Sequence, residues 1–173
     1  MKRIAAVLAA LVALLALCPV AMAEDVISIE DVYDYADDWS DNDVYYLEDD
    51  EYVVVDLTRD PEHSVYLVFR LEGTNDHILA ARLLTDVDYH YSSEEERSQA
   101  IALANQWNYE HRYPKAYIDP NDGQYMADGH LFCIDPTEGM VREFVEDQIY
   151  GTEQMLQFFA DSGVSAFAPY AED

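Results

Sequence analysis

AIALANQWNYEHRYPKAYID, residues 100–119, is the stretch whose reading decides the fold. Ala100, Leu103, Ala104 and Trp107 recur at helical spacing, so one side of a helix is narrow enough to lie tightly on a sheet. Asn105 and Asn108 stand at its end, where orphan backbone groups need partners. Pro114 then stops the helix, because its ring fixes φ and it has no amide hydrogen. Lys115 to Ile118 follows as a short strand.

Working outward, Ser92-Ser93-Glu94-Glu95-Glu96 opens this helix with a capping box, the glutamates favouring the positive end of its dipole. Asp119-Pro120-Asn121-Asp122-Gly123 is a turn, and Gln124 to Ile134 returns as the second strand of a hairpin. Before residue 92 the period is two: Val44 to Leu47, Tyr52 to Leu57, Ser64 to Leu71 and Ile78 to Val87, with turn residues between. Val65, Leu67, Phe69 and Leu71 alternate most clearly against Tyr66, Val68 and Arg70. Loops this short imply antiparallel neighbours, since parallel strands need long crossovers.

Val26 to Trp39 predicts a first helix, capped by Ser28 with Asp31 three residues on, and apolar at Ile29, Val32, Tyr33, Ala36 and Trp39. Asp135-Pro136-Thr137-Glu138 starts the last helix, with a cap, a proline in the first turn and an acid at the third. Its apolar face is Met140, Val141, Phe144, Val145, Ile149, Met155, Leu156 and Phe159, and Gly151 is its weak point. Ser162 to Asp173 reads as a frayed, flexible tail. The expected architecture is α+β: an antiparallel sheet with helices packed on it, in the order helix, strands, helix, two strands, helix.

The central stretch resembles the YbjN family. There, an Asn-x-x-Asn pair, often with an aromatic between, closes a helix and leads to a basic-aromatic run, a short strand ending in Asp, and a hairpin. Here those features fall on Asn105, Trp107, Asn108, Arg112, Tyr113, Tyr117 and Asp119. The likeness extends more weakly over Ser28 to Ala160, and a YbjN-like domain is expected over residues 24–161. Such proteins are similar to type III secretion chaperones, which are acidic dimers that hold extended segments of a client. The resemblance thus implies a binding module for a protein or peptide, through its sheet or a dimer-made groove. It implies no reaction.

Composition points the same way. The chain has 36 acidic against nine basic residues, a formal net charge of −27, which disfavours nucleic acid and anionic membrane as partners. The five histidines have no paired zinc-ligand spacing. The turn at Asp119 is no calcium loop, because the required glycine and bidentate acid would fall on Gln124 and His130. A serine elbow, a phosphate-cradling glycine loop and a His-Glu-x-x-His motif are all missing from the sequence. No catalytic residue, cofactor or metal is therefore expected. The signature residues Asn105, Trp107, Asn108, Tyr117 and Asp119 read as structural, with Trp107 in the core and both asparagines tying the helix end to a neighbouring strand. Two other readings are an acidic envelope or stress protein that meets cations diffusely, and an unrecognised hydrolase. Open strand edges also suit a second subunit, which makes a homodimer one expected assembly.

Met1-Lys2-Arg3, the apolar run Ile4 to Leu17, and Ala21-Met22-Ala23 have the layout of a secretory signal over residues 1–23. The apolar run is short of the about 20 residues that a membrane span needs, so no stable insertion is expected after cleavage. Export would place the protein in the periplasm or outside the cell. With Cys18 removed, Cys133 is the one cysteine left; between Phe132 and Ile134 it reads as a buried small hydrophobe. Intact-mass measurement of exported material should find a chain beginning at Glu24. A mass that retains residues 1–23, or a lipid on Cys18, would refute the export reading.

Overall fold

Ser28 Oγ accepts from the Asp31 amide at 3.1 Å while the Ser28 amide donates to Asp31 Oδ2 at 2.9 Å, closing the capping box of helix α1, Ile29–Trp39. Since the cap is extended (φ −92°, ψ 154°), α1 begins at Ile29 and not at the expected Val26. The computed structural model describes residues 27–73, 78–87, 90–119, 125–132 and 136–171. Residues 1–23, Cys18, Cys133 and the turn at 120–123 lie outside the described residues.

Six strands follow the predicted segments closely: β1 Val44–Leu47, β2 Tyr52–Asp56, β3 Val65–Glu72, β4 Ile78–Thr85, β5 Lys115–Ile118 and β6 Tyr125–Phe132. All neighbours are antiparallel, in the order β1-β2-β3-β4-β6-β5. The chain order is the expected α+β one. One phase of the alternation is dry: Val53, Val55, Val65, Leu67, Phe69, Leu79, Ala81, Leu83 and Ala127 are buried. Helix α1 covers β1 to β3, and α3, Glu138–Ala160, packs on α1 and β6. Burying one large apolar side chain contributes about 1.5–3 kcal/mol, against about 0–1 kcal/mol for an exposed ion pair, so this layer holds the fold.

Helix α2, Glu94–Glu110, starts at Ser93, whose hydroxyl accepts from the Glu96 amide at 3.1 Å. It lies against the sheet on the expected Ala100, Ala104 and Trp107 side. Its main sheet contact is the edge strand β5, and Ala100, Ala104 and Trp107 are the residues it buries. The last helix is capped by Thr137, whose Oγ1 accepts from the Met140 amide, so Pro136 precedes the cap and does not sit in the first turn. Met140, expected on the apolar face, is exposed there.

Gly151 is no weak point. It is buried, and a Cβ at that position would lie 2.8 Å from Tyr113 O and 2.9 Å from Pro114 Cδ. The absent side chain is what lets α3 touch the Tyr113–Pro114 bend. Gln148, one turn earlier, lies flat over Gly129 of β6, where any Cβ would collide with its amide. Neither polar atom of the Gln148 side chain meets a hydrogen-bond partner among the described residues.

The expected tail is also corrected. Gly163, at φ +74°, turns the chain out of α3, and Ser165–Tyr170 forms a 3-10 helix that buries Ala166, Phe167 and Tyr170. Phe167 meets Phe159 at 4.7 Å between ring centroids and Tyr91 at 6.5 Å. Arg59 Nη1 holds one end of this segment by donating to Tyr170 O (2.8 Å) and Gln157 Oε1 (2.7 Å). Glu96 holds the other, accepting from the backbone amides of Ser165 and Ser92 at 2.5 Å each. Hydrogen bonds from Ser92, then from Ser165, hold the Glu96 carboxyl down at about 2.

Two outcomes follow from these contacts. Gly151→Ala should lower stability by about 1–3 kcal/mol, as overpacking does, where an open helix would gain about 1 kcal/mol; the denaturant midpoint reads the sign. Because the folded Glu96 carboxyl sits below its ordinary 4.5, its stabilisation is complete above that pH and is lost as pH falls toward about 2. Glu96→Gln should accordingly flatten the acid limb of melting temperature against pH in that window.

Candidate binding face of the sheet

The residues singled out in the sequence gather at one corner. Trp107 is buried, donates from Nε1 to Pro114 O at 2.9 Å, and stacks on His111 at 3.6 Å between ring centroids. Asn108 Nδ2 donates to Ala116 O (2.6 Å) and its Oδ1 accepts from Ala116 N (2.8 Å). The amide side chain thus pairs with the outer edge of β5 as a neighbouring strand would. Lys115 Nζ donates to the carbonyls of Asn108 (3.0 Å) and His111 (2.6 Å), placing a cation at the negative end of α2. Asn105 is exposed and takes no part in tying the helix to β5, contrary to expectation. Tyr117 is partly exposed, its phenol pushed up by partial burial and then by the Asp128 carboxylate. Asp119 follows β5. This corner is a structural joint.

A different region offers a surface. Helices α1 and α3 lie on one side of the sheet and α2 lies along its β5 edge, so the other phase of the alternation carries no described helix, with Val68 and Ala80 buried within it. Along the ladders, Leu47, Tyr52, Arg70, Ala80 and His130 form one row, Tyr45, Val54, Val68, Arg82, Asp128 and Lys115 a second, and Asp56, Tyr66 and Leu84 a third. The β1 to β4 part of this face is a groove of about 520 Å³. Tyr45, Leu47 and Leu84 are 47%, 45% and 52% exposed, large side chains that ordinary solvated strands replace with polar ones.

Charge is placed sparingly across the groove. Glu72 lies between two guanidinium groups, 2.7 Å from Arg70 Nε and 3.0 Å from Arg82 Nη2, so the two cations share one carboxylate. Arg70 also donates to Tyr52 OH at 3.3 Å. The Asp43 carboxylate beside Tyr45 pushes its phenol up, which keeps it a hydrogen-bond donor. Among the described residues the groove is lined by tyrosine, leucine, valine, arginine and aspartate. Such a lining supplies contact area and hydrogen bonds. Among the described residues no group of three or more His, Cys, Asp or Glu is arranged to hold a metal, and no helix is long and apolar enough to cross a membrane.

The sequence did not single out this face, although its signal was present: Val53-Val54-Val55, Tyr45-Tyr46-Leu47 and Leu83-Leu84 are apolar in both phases of the alternation. Compared with known proteins, residues 29–161 match the model of the YbjN family, described as "Putative bacterial sensory transduction regulator". No curated protein and no solved structure matches the chain.

Asn108→Ala should cost about 1–3 kcal/mol by leaving the Ala116 amide and carbonyl without their partner. Backbone hydrogen exchange at Ala116 should accelerate with it; an unchanged rate would mean that the edge is closed by something other than Asn108.

Proposed function

From the premise that this chain belongs to the YbjN family, we propose that it is a non-catalytic module that binds a protein or peptide segment on the open face of its sheet, outside the cytoplasm after export. The observation that carries this reading is the groove of about 520 Å³ with its large exposed side chains. Contiguous apolar surface on a folded monomer marks an interaction site more often than a bystander. Three tyrosines suit it to that work, because an amphipathic ring supplies both area and a hydroxyl at low entropy cost.

The charge supports the same class of partner. A net charge of −27 keeps nucleic acid away and draws cationic peptides through a long-range field. The family's description as a regulator is consistent with action through binding.

Selection of peptides from a displayed random library against the protein, repeated with Leu84→Asp and Val54→Asp, tests the proposal. Leu84 is half exposed, so its change should leave the melting temperature within about 0.5 kcal/mol of the parent in stability terms. Binders of the parent should be lost on both variants. Equal retention by both would place binding elsewhere, and an empty selection would remove the binding module.

A further inference from the structure

We propose that β1 is a strand-addition edge, and that its occupant is an extended segment of another protein in which apolar and cationic side chains alternate. The inference rests on the binding reading above and gives it a place, a direction and a partner chemistry.

The two outer edges of the sheet differ. At β5, the Asn108 amide occupies both hydrogen-bonding groups of Ala116. At β1, Asp56 N donates to Asp43 O at 2.9 Å. Antiparallel pairs alternate between bonded and unbonded positions, so Tyr45 and Leu47 bond to β2, whereas Val44 and Tyr46 aim their amides and carbonyls away from it. Among the described residues, nothing bonds to those outward groups. An extended chain can take them up, adding a seventh strand.

The two sides of that edge ask for different side chains. On the outer side Tyr45 and Leu47 form the near wall of the apolar groove. On the helix side a second hollow, of about 510 Å³, surrounds Tyr46 with Glu30, Asp50 and Glu51. Glu30 and Glu51 of that hollow, with Glu48, raise the Tyr46 phenol after desolvation. The one basic residue lining that hollow, Arg70, is already engaged by Glu72. Because successive side chains of a strand point to opposite faces, an added segment must be apolar at every second residue and cationic at the residues between. A second copy of β1 fits poorly: on the acidic side it would offer Val44 and Tyr46, where the added segment must carry cations.

The test uses short synthetic peptides on the intact protein. The first alternates valine or tyrosine with lysine; its isomer gathers the same lysines into one block; a third carries N-methyl groups on alternate amides, removing donors from one edge. The alternating peptide should bind and slow amide exchange at Val44 and Tyr46, and N-methylation should weaken it about tenfold, the scale of one or two hydrogen bonds. Val44→Pro, at the first residue of an edge strand where proline is tolerated, should give a similar loss. Equal binding by the isomer or the N-methylated peptide overturns the proposal. So does concentration-dependent protection of Val44 and Tyr46 without peptide, which would assign the edge to a second copy. Binding that falls with Leu84→Asp yet ignores N-methylation overturns the edge while the face reading stands; failure of every peptide here and of the displayed library removes both.

Discussion

The Tyr113–Pro114 bend is the joint on which the rest of the molecule depends. Trp107 grips it from α2 through the Pro114 carbonyl, and α3 closes on it from the other side because Gly151 has no side chain there. Two helices that would otherwise touch different parts of the sheet are thereby fixed to one point. β5 leaves that point in the only direction that lets Ala116 reach Asn108 and Ala127 at once. A buried indole is a strong fastener here, since it combines a large apolar area with one donor that must find a carbonyl.

Fixing that corner sorts the molecule into two sides. With α1 and α3 on the inner face and α2 along the β5 edge, the sheet has one side that coheres and one that is available. Cohesion is mainly hydrophobic, so apart from a few ties such as Glu96 the surplus of carboxylates is free to shape the field around the available side. The groove is the exception in that field: its two guanidinium groups share Glu72 and its walls are apolar. A ligand would be attracted by the surroundings and retained by the groove, two tasks carried by different residues.

The order of elements was legible because it rests on local signals: Ser28 with Asp31, Ser93 with Glu96, and the alternation of Val65 to Leu71 are each read within a few residues. What depended on distant neighbours was misread. Gly151 looks like a flaw until Pro114 is placed against it, and Asn105 and Asn108 look alike until the helix turns only one of them toward β5. The segment Ser165–Tyr170 is too short to show a period, so its aromatics carried no visible direction. The groove was missed for a subtler reason. One-sided sheets alternate, whereas these strands are apolar in both phases, so the local pattern marks a strand and leaves its second face without a signature.

The packing of Phe167 and Tyr170 sets an order of events in time. These rings close the core beside Phe159 and Tyr91, yet they follow Leu84, the last groove residue, by a long stretch of chain. At synthesis rates of about 5–20 residues per second, roughly 4–17 s separate the emergence of β4 from that of Phe167. During that interval β5 and β6 join the sheet, but its inner layer still lacks these rings. The last part of the core to be completed is thus the last part to be made.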